Sequence, residues 1–173
     1  MERESGPDQT GWYRCIHRDH LCADHHIFYD ICESGRIDGA VFKDCAPILD
    51  TVFSLVDGAN PFKTKVRDEL NKELLLNIQP YQMDEILSKG MYGSKHNDAQ
   101  EIIKRCQIEY LKKIVNEMLK HAREIQSLPI VFTGGGSILL KDIIEEYETF
   151  MVSDNPVFDN LDGFGEMGMI LSE

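Results

Sequence analysis

Three consecutive glycines, Gly134, Gly135 and Gly136, constrain this chain more than any other feature because of what flanks them. Residues 128–133 form a short apolar run rich in β-branched side chains and opened by Pro129, the pattern of a buried strand. After the glycines, Ser137 is a good helix N-cap, and Ile138, Leu139, Leu140, Ile143, Ile144 and Tyr147 recur at helical spacing. The expectation is a strand running through the glycines into a helix that starts at Ser137. Such a turn has a physical use. Glycine accepts positive φ and carries no Cβ, so a ligand can lie directly on the backbone. A helix start adds unpaired N–H groups and partial positive charge, which suit an anion. The plain alternative is a tight strand-to-helix turn that touches nothing. Neither common phosphate fingerprint is present, because the spacing of G-x-G-x-x-G and the G-K-S/T of a P-loop are both missing.

At 173 residues the chain can bury a proper core. A net charge of −12 argues against a surface that coats nucleic acid or binds anionic membrane. No apolar run has the length of a membrane span, and the N-terminal residues 1–14 lack an apolar signal core, so a cytoplasmic location is expected. Five cysteines, an odd number in a reducing compartment, do not read as a disulfide framework.

Residues 1–26 read as an irregular lead-in and residues 27–173 as the folded unit. The lead-in holds Cys15, His17, His20, Cys22, His25 and His26, with Cys32 and Cys45 beyond. Thiolates and imidazoles at short spacing can hold zinc. The spacing C-x-H-x2-H-x-C-x2-H-H matches no standard finger, so surface histidines and small buried cysteines are the alternative. Three apolar runs come next, at 27–31, 37–43 and 47–55, with short connections that predict an antiparallel meander. Helices are expected over 62–75, with Pro61 opening the first turn, and over 80–89, stopped by Gly90. A polar loop covers 91–97. Asp98 and Glu101 then form a capping box for a long amphipathic helix over 99–126. A helix of that length before a buried strand fits an α/β crossover. A short strand at 150–152, a turn at 153–156 and a closing helix at 160–171 complete the expectation.

The text VFTGGGSILLKDIIEEY, followed by VSDNPVFDNLDGFGEMG, resembles the C-terminal end of bacterial actin-like ATPases of the plasmid-segregation (ParM-like) group. The resemblance implies an α/β fold of the ribonuclease-H-like type shared by actins and chaperone ATPases, a mixed sheet with flanking helices forming one half of a two-domain actin fold. It implies ATP and Mg as cofactors, with Gly134, Gly135, Gly136 and Ser137 against the nucleotide. It also places Asn160, Gly163 and Gly168 where that family has an Asn-x-x-Gly stretch near its C-terminus. The family's phosphate-holding pattern, D-I-G-G/S-x-T-x-D, is matched in part by residues 30–38. Asp38 fits its second aspartate, which helps position the metal or the attacking water. Glu33 sets a carboxylate where a phosphate should approach, Ile37 replaces the threonine, and the count is one residue too long. Like-charge repulsion there costs affinity, so ATP hydrolysis stays open. The implied partners are further copies in a filament, or a full-length actin-like partner, with DNA reached only through an adaptor and no membrane. Two other roles remain open: a non-catalytic module that binds such a partner, and a zinc-binding regulator using the N-terminal Cys/His cluster.

Overall fold

The computed structural model of the chain describes residues 26–31, 35–43, 46–89, 96–121 and 128–159. The first two strands, β1 (His26–Ile31) and β2 (Ile37–Lys43), pair antiparallel in unbroken register from His26 opposite Phe42 to Ile31 opposite Ile37. The third apolar run does not stay one strand. It splits into β3 (Ala46–Pro47) and β4 (Phe53–Leu55), both antiparallel to β2, around a single 3-10 turn at Leu49–Thr51. Thr51 causes the break. Its hydroxyl accepts the Val41 N–H at 2.9 Å and donates to the Ile48 carbonyl at 2.6 Å, replacing a ladder bond with a side-chain bond.

Helix α1 (Ala59–Leu74) begins three residues earlier than the sequence pattern predicts, with Gly58 as N-cap. Pro61 is therefore in the first turn but not at its start. It is tolerated there because first-turn amides have no acceptor within the helix. A 3-10 turn at Pro80–Gln82 leads into α2 (Met83–Lys89); the predicted stop at Gly90 lies outside the described residues. Helix α3 (His96–His121) also starts early. Asp98 thus sits inside its first turn and complements the positive helix end, and is not the N-cap of a capping box. The last predicted turns of this helix, 122–126, lie outside the described residues.

The chain then enters β5 (Ile130–Thr133), whose four residues are all buried. Strand β5 lies parallel to β1, and β6 (Phe150–Val152) lies parallel to β5. The described sheet has the order β3-β2-β1-β5-β6, with β4 also on β2. The crossover expectation holds. Two parallel strands need a long connection, and the helices supply it.

The core is amphipathic packing on one sheet face. Ile37 and Val41 of β2, Phe53 of β4, and Ile130 and Phe132 of β5 alternate toward the helices. They meet Phe62, Val66 and Leu70 of α1 and Ile103, Cys106, Leu111, Ile114 and Met118 of α3. Helices α1 and α3 run antiparallel and are joined at their edge by ion pairs. Lys113 meets Asp57, just ahead of α1, at 2.5 Å, Lys65 meets Glu109 at 2.8 Å, and Arg105 meets Glu73. Cys106 is buried, and that burial pushes its thiol pKa up, so it behaves as a small core residue.

Candidate functional site

Parallel strands end together, and the ends of β1 and β5 meet at one edge of the sheet. Asp30 of β1 is the register partner of Asp38 on one side and of Thr133 on the other. At the usual strand spacing of about 4.8 Å, the Asp38 and Thr133 backbones are roughly 10 Å apart. Asp38 is half-buried, and by alternation it and Thr133 lie on the face opposite the helical core. The glycine run leaves the sheet at this same edge. Open α/β sheets use the carboxyl ends of parallel strands as their binding crevice. Two stretches nearly a hundred residues apart in sequence, around Asp38 and around Gly134, are thus brought to one place.

Gly134 has φ +78° and ψ 154°, a region open essentially to glycine alone. Its N–H donates to the Pro156 carbonyl at 2.8 Å. The helix after the glycines differs from the expectation. Residues Gly135–Leu140 form a 3-10 helix with Gly134 as N-cap, and α4 (Lys141–Ile144) is a single α-helical turn after it. Ser137 is no N-cap. Its side chain is fully buried, its N–H reaches the Gly134 carbonyl at 3.0 Å, and its hydroxyl donates to the same oxygen at 2.8 Å. Both are i to i−3 bonds, and they tighten the turn into 3-10 geometry. The early stop also has a cause. Thr149 must return to accept the Ile130 N–H at 2.8 Å, and Tyr147 stacks on Phe150 at 4.9 Å as β6 begins.

These differences change what the site can offer. So short a helical segment contributes little macrodipole, so anion affinity here cannot come from it. The main chain remains. Within a 3-10 helix the first amides, Gly135 and Gly136, have no acceptor of their own. Gly135 is half-buried and Gly136 buried, and neither carries a Cβ to fend off a ligand. Ser137 supports the turn from inside and is not a surface contact.

The turn is anchored on both sides. From the helical side, the Gln107 amide on α3 donates to the Leu139 carbonyl at 2.6 Å. From the other, the Thr133 and Ser153 hydroxyls both donate to Asp159 Oδ2. Sequence reading missed Gln107, Thr133, Ser153 and Asp159. Thr133 and Asp159 are 26 positions apart and share no motif, so only the fold could pair them.

Beside Asp38, the exposed Arg36 guanidinium donates to the Ser54 hydroxyl at 3.2 and 2.7 Å. Hard carboxylate oxygen such as that of Asp38 is the donor type that Mg prefers, with water and phosphate oxygens completing its shell. An open groove runs along α1, lined by Asn60, Pro61, Thr64, Lys65, Asp68 and Glu69. Its Lys65 is committed to Glu109: the hydrogen bond between them raises the lysine pKa and lowers that of the carboxyl. Among the described residues no cluster of three His, Cys, Asp or Glu side chains could hold a metal, and no helix is long and apolar enough to cross a membrane. The Cys/His segment from Cys15 to His25, and Asn160, Gly163 and Gly168, lie outside the described residues; of His26 only the backbone is described, in β1.

No family model matches this sequence, and no curated protein matches it significantly. Solved structures do. A non-polymerisable quadruple mutant of pCBH ParM superposes with a TM-score of 0.72 at 18% identity, over 95% of this chain and 54% of that one. The archaeal actin homologue Ta0583, in complex with ADP, gives 0.71 at 18%, over 95% and 57%. The Alp12 filament structure gives 0.67 at 14%, over 95% and 53%. This chain therefore spans about half the length of the actin homologues it matches. At these identities the likeness establishes architecture, and the architecture is that of an actin-like fold, consistent with one half of it.

Proposed function

We propose that this chain is the nucleotide-binding second half of a ParM-like actin homologue, which holds Mg-ATP or Mg-ADP at the sheet edge formed by Asp38 and Gly134–Gly136. The observation that carries the reading is the glycine-only conformation of Gly134 at the carboxyl end of β5, in register through Asp30 with Asp38. In this reading the amides of Gly135 and Gly136 and their bare α-carbons lie against the nucleotide. Ser137 braces them from beneath. Asp38 offers carboxylate oxygen to the metal or to an attacking water. The Ta0583 complex with ADP supports a nucleotide at this fold, and the Alp12 filament supports self-association as the wider role. Plasmid or phage DNA segregation in the cytoplasm, with DNA reached through an adaptor, is the cellular role this implies; the net charge of −12 works against direct DNA contact.

A second reading is a non-catalytic module that binds a full-length actin-like partner. Glu33 and Ile37 in the phosphate-holding stretch favour it, since they weaken the case for turnover.

Calorimetric titration with Mg-ATP and Mg-ADP, beside a Gly135→Asp variant, separates the two. Binding that the variant abolishes supports the nucleotide site. No heat at millimolar nucleotide, together with co-pelleting only in the presence of an actin-like filament, supports the module.

A further inference from the structure

The glycine turn is held by a group that lies outside the turn and outside its motif. Asp159 closes the segment after β6, where its own N–H donates to the Asn155 carbonyl at 3.1 Å and the Phe158 N–H reaches the same oxygen at 2.9 Å. Its Oδ2 receives the hydroxyls of Thr133, the last residue of β5, and Ser153, the first residue after β6. The Ser153 N–H meanwhile donates to the Phe132 carbonyl at 2.9 Å, and the Gly134 N–H to the Pro156 carbonyl at 2.8 Å. One carboxylate oxygen thus ties the ends of two parallel strands together, next to the residue whose backbone is open only to glycine. Hydroxyl-to-carboxylate bonds are charge-assisted and stronger than neutral ones.

We infer that Asp159 is a positioning residue: through Thr133 and Ser153 it holds Gly134–Gly136 in the shape that receives a ligand. The inference rests on the nucleotide-binding reading of the turn. The physical argument is conformational. Glycine visits more backbone states than any other residue, and three stand in a row here. A turn of three glycines left to itself would lose that freedom each time a ligand bound, and the loss would weaken binding. Gln107 restrains the far end of the turn at Leu139. Asp159 restrains the near end, so the ordering is already complete before a ligand arrives. Ligand contact at the turn is thereby coupled to the segment after β6.

The test uses the full chain with Asp159→Ala, Thr133→Val, Ser153→Ala and the Asp159→Ala/Thr133→Val pair. Amide hydrogen exchange is followed at Gly134 and Ser137, the two amides of the turn that are bonded to the Pro156 and Gly134 carbonyls, and, as an internal control, at Leu111 and Ile114 in α3. Titration with Mg-ADP is run alongside. Loss of charge-assisted bonds predicts exchange at Gly134 and Ser137 faster by about tenfold or more in Asp159→Ala, with the α3 amides changed by less than about twofold. The pair should add little to Asp159→Ala, since both remove the same bond. Mg-ADP affinity should fall by about tenfold for the same reason. Should Asp159→Ala not fold, Thr133→Val keeps a β-branched strand residue while removing one donor, and carries the same local expectation. Exchange at Gly134 and Ser137 unchanged within twofold, or faster equally across α3, would overturn the inference. So would wild-type Mg-ADP affinity in Asp159→Ala when Gly135→Asp abolishes binding. If the wild type binds no nucleotide, the functional reading falls, and the exchange data alone decide the role of Asp159.

Discussion

The Tyr110 hydroxyl on α3 donates to the main-chain carbonyl of Asp57, just ahead of α1, while the Tyr110 ring stacks on Phe62 at 4.7 Å. One side chain therefore joins the two principal helices by both a polar and an aromatic contact. Tyr110→Phe keeps the ring and leaves a partly buried carbonyl without this donor. Equilibrium urea unfolding should show a loss of about 1–2 kcal/mol with an unchanged slope.

Tyr110 also predicts an alkaline limit. Burial, and then the nearby Asp57 carboxylate, push its pKa well above the ordinary 10.0. The fold favours the neutral phenol. A group whose folded pKa is raised gives stability that is complete below its unfolded pKa and is lost as pH rises toward the folded value. Stability should fall above about pH 10, by up to about 1.4 kcal/mol per pH unit from this group. Thermal midpoints measured across pH 9–12 in wild type and Tyr110→Phe test this; the variant should show the shallower decline.

Gly134→Ala puts a Cβ on a backbone at φ +78° and ψ 154°. Strain of this kind costs about 1–3 kcal/mol. Differential scanning fluorimetry should show a lower midpoint for Gly134→Ala than for Ser137→Ala, which loses one bond to a carbonyl that keeps its N–H donor.

Leu75 ends α1 in the left-handed region at φ 53°, with its side chain 89% exposed. A branched residue at that position costs roughly 1–2 kcal/mol, and glycine there costs nothing sterically. Leu75→Gly should therefore stabilise the protein by roughly 1 kcal/mol, after allowance for the added freedom of the unfolded chain. Chemical denaturation checks it, and an unchanged or lower midpoint would count against the assigned cap.

On the same helix, Leu70 is fully buried while the Lys65–Glu109 pair lies about half-exposed. Leu70→Ala should cost about 2–5 kcal/mol, and Lys65→Ala less than about 1 kcal/mol with a dependence on salt. Paired urea titrations at low and high sodium chloride distinguish the two.

Much of the architecture was legible from residue order because it derives from periodicity. The apolar run at 37–43, the four-residue spacing of Phe62, Val66, Leu70 and Leu74, and the apolar stripe of α3 each mark residues that the fold buries. Such patterns are local, and a local rule reads them. The meander, the crossover and the short β6 come from the same patterns and from connection length. The misread details are those where a side chain competes with the backbone: Thr51 breaking the third strand, and Ser137 pulling the glycine helix into 3-10 form.

By itself, the sequence determined that a buried strand would run into three glycines, because β-branched apolar residues favour such a strand and glycine accepts backbone shapes that other residues avoid. It did not determine what stands beside that turn. The register of β2, β1 and β5 brought Asp38 to the same edge, and the closing of the chain after β6 set Asp159 on Thr133 and Ser153. Those relations depend on which strands pair and in what order. The β1–β2 pairing follows from a short connection. The parallel β1–β5 pairing joins strands far apart in sequence, and such a contact is a property of the packed sheet that no short-range pattern records.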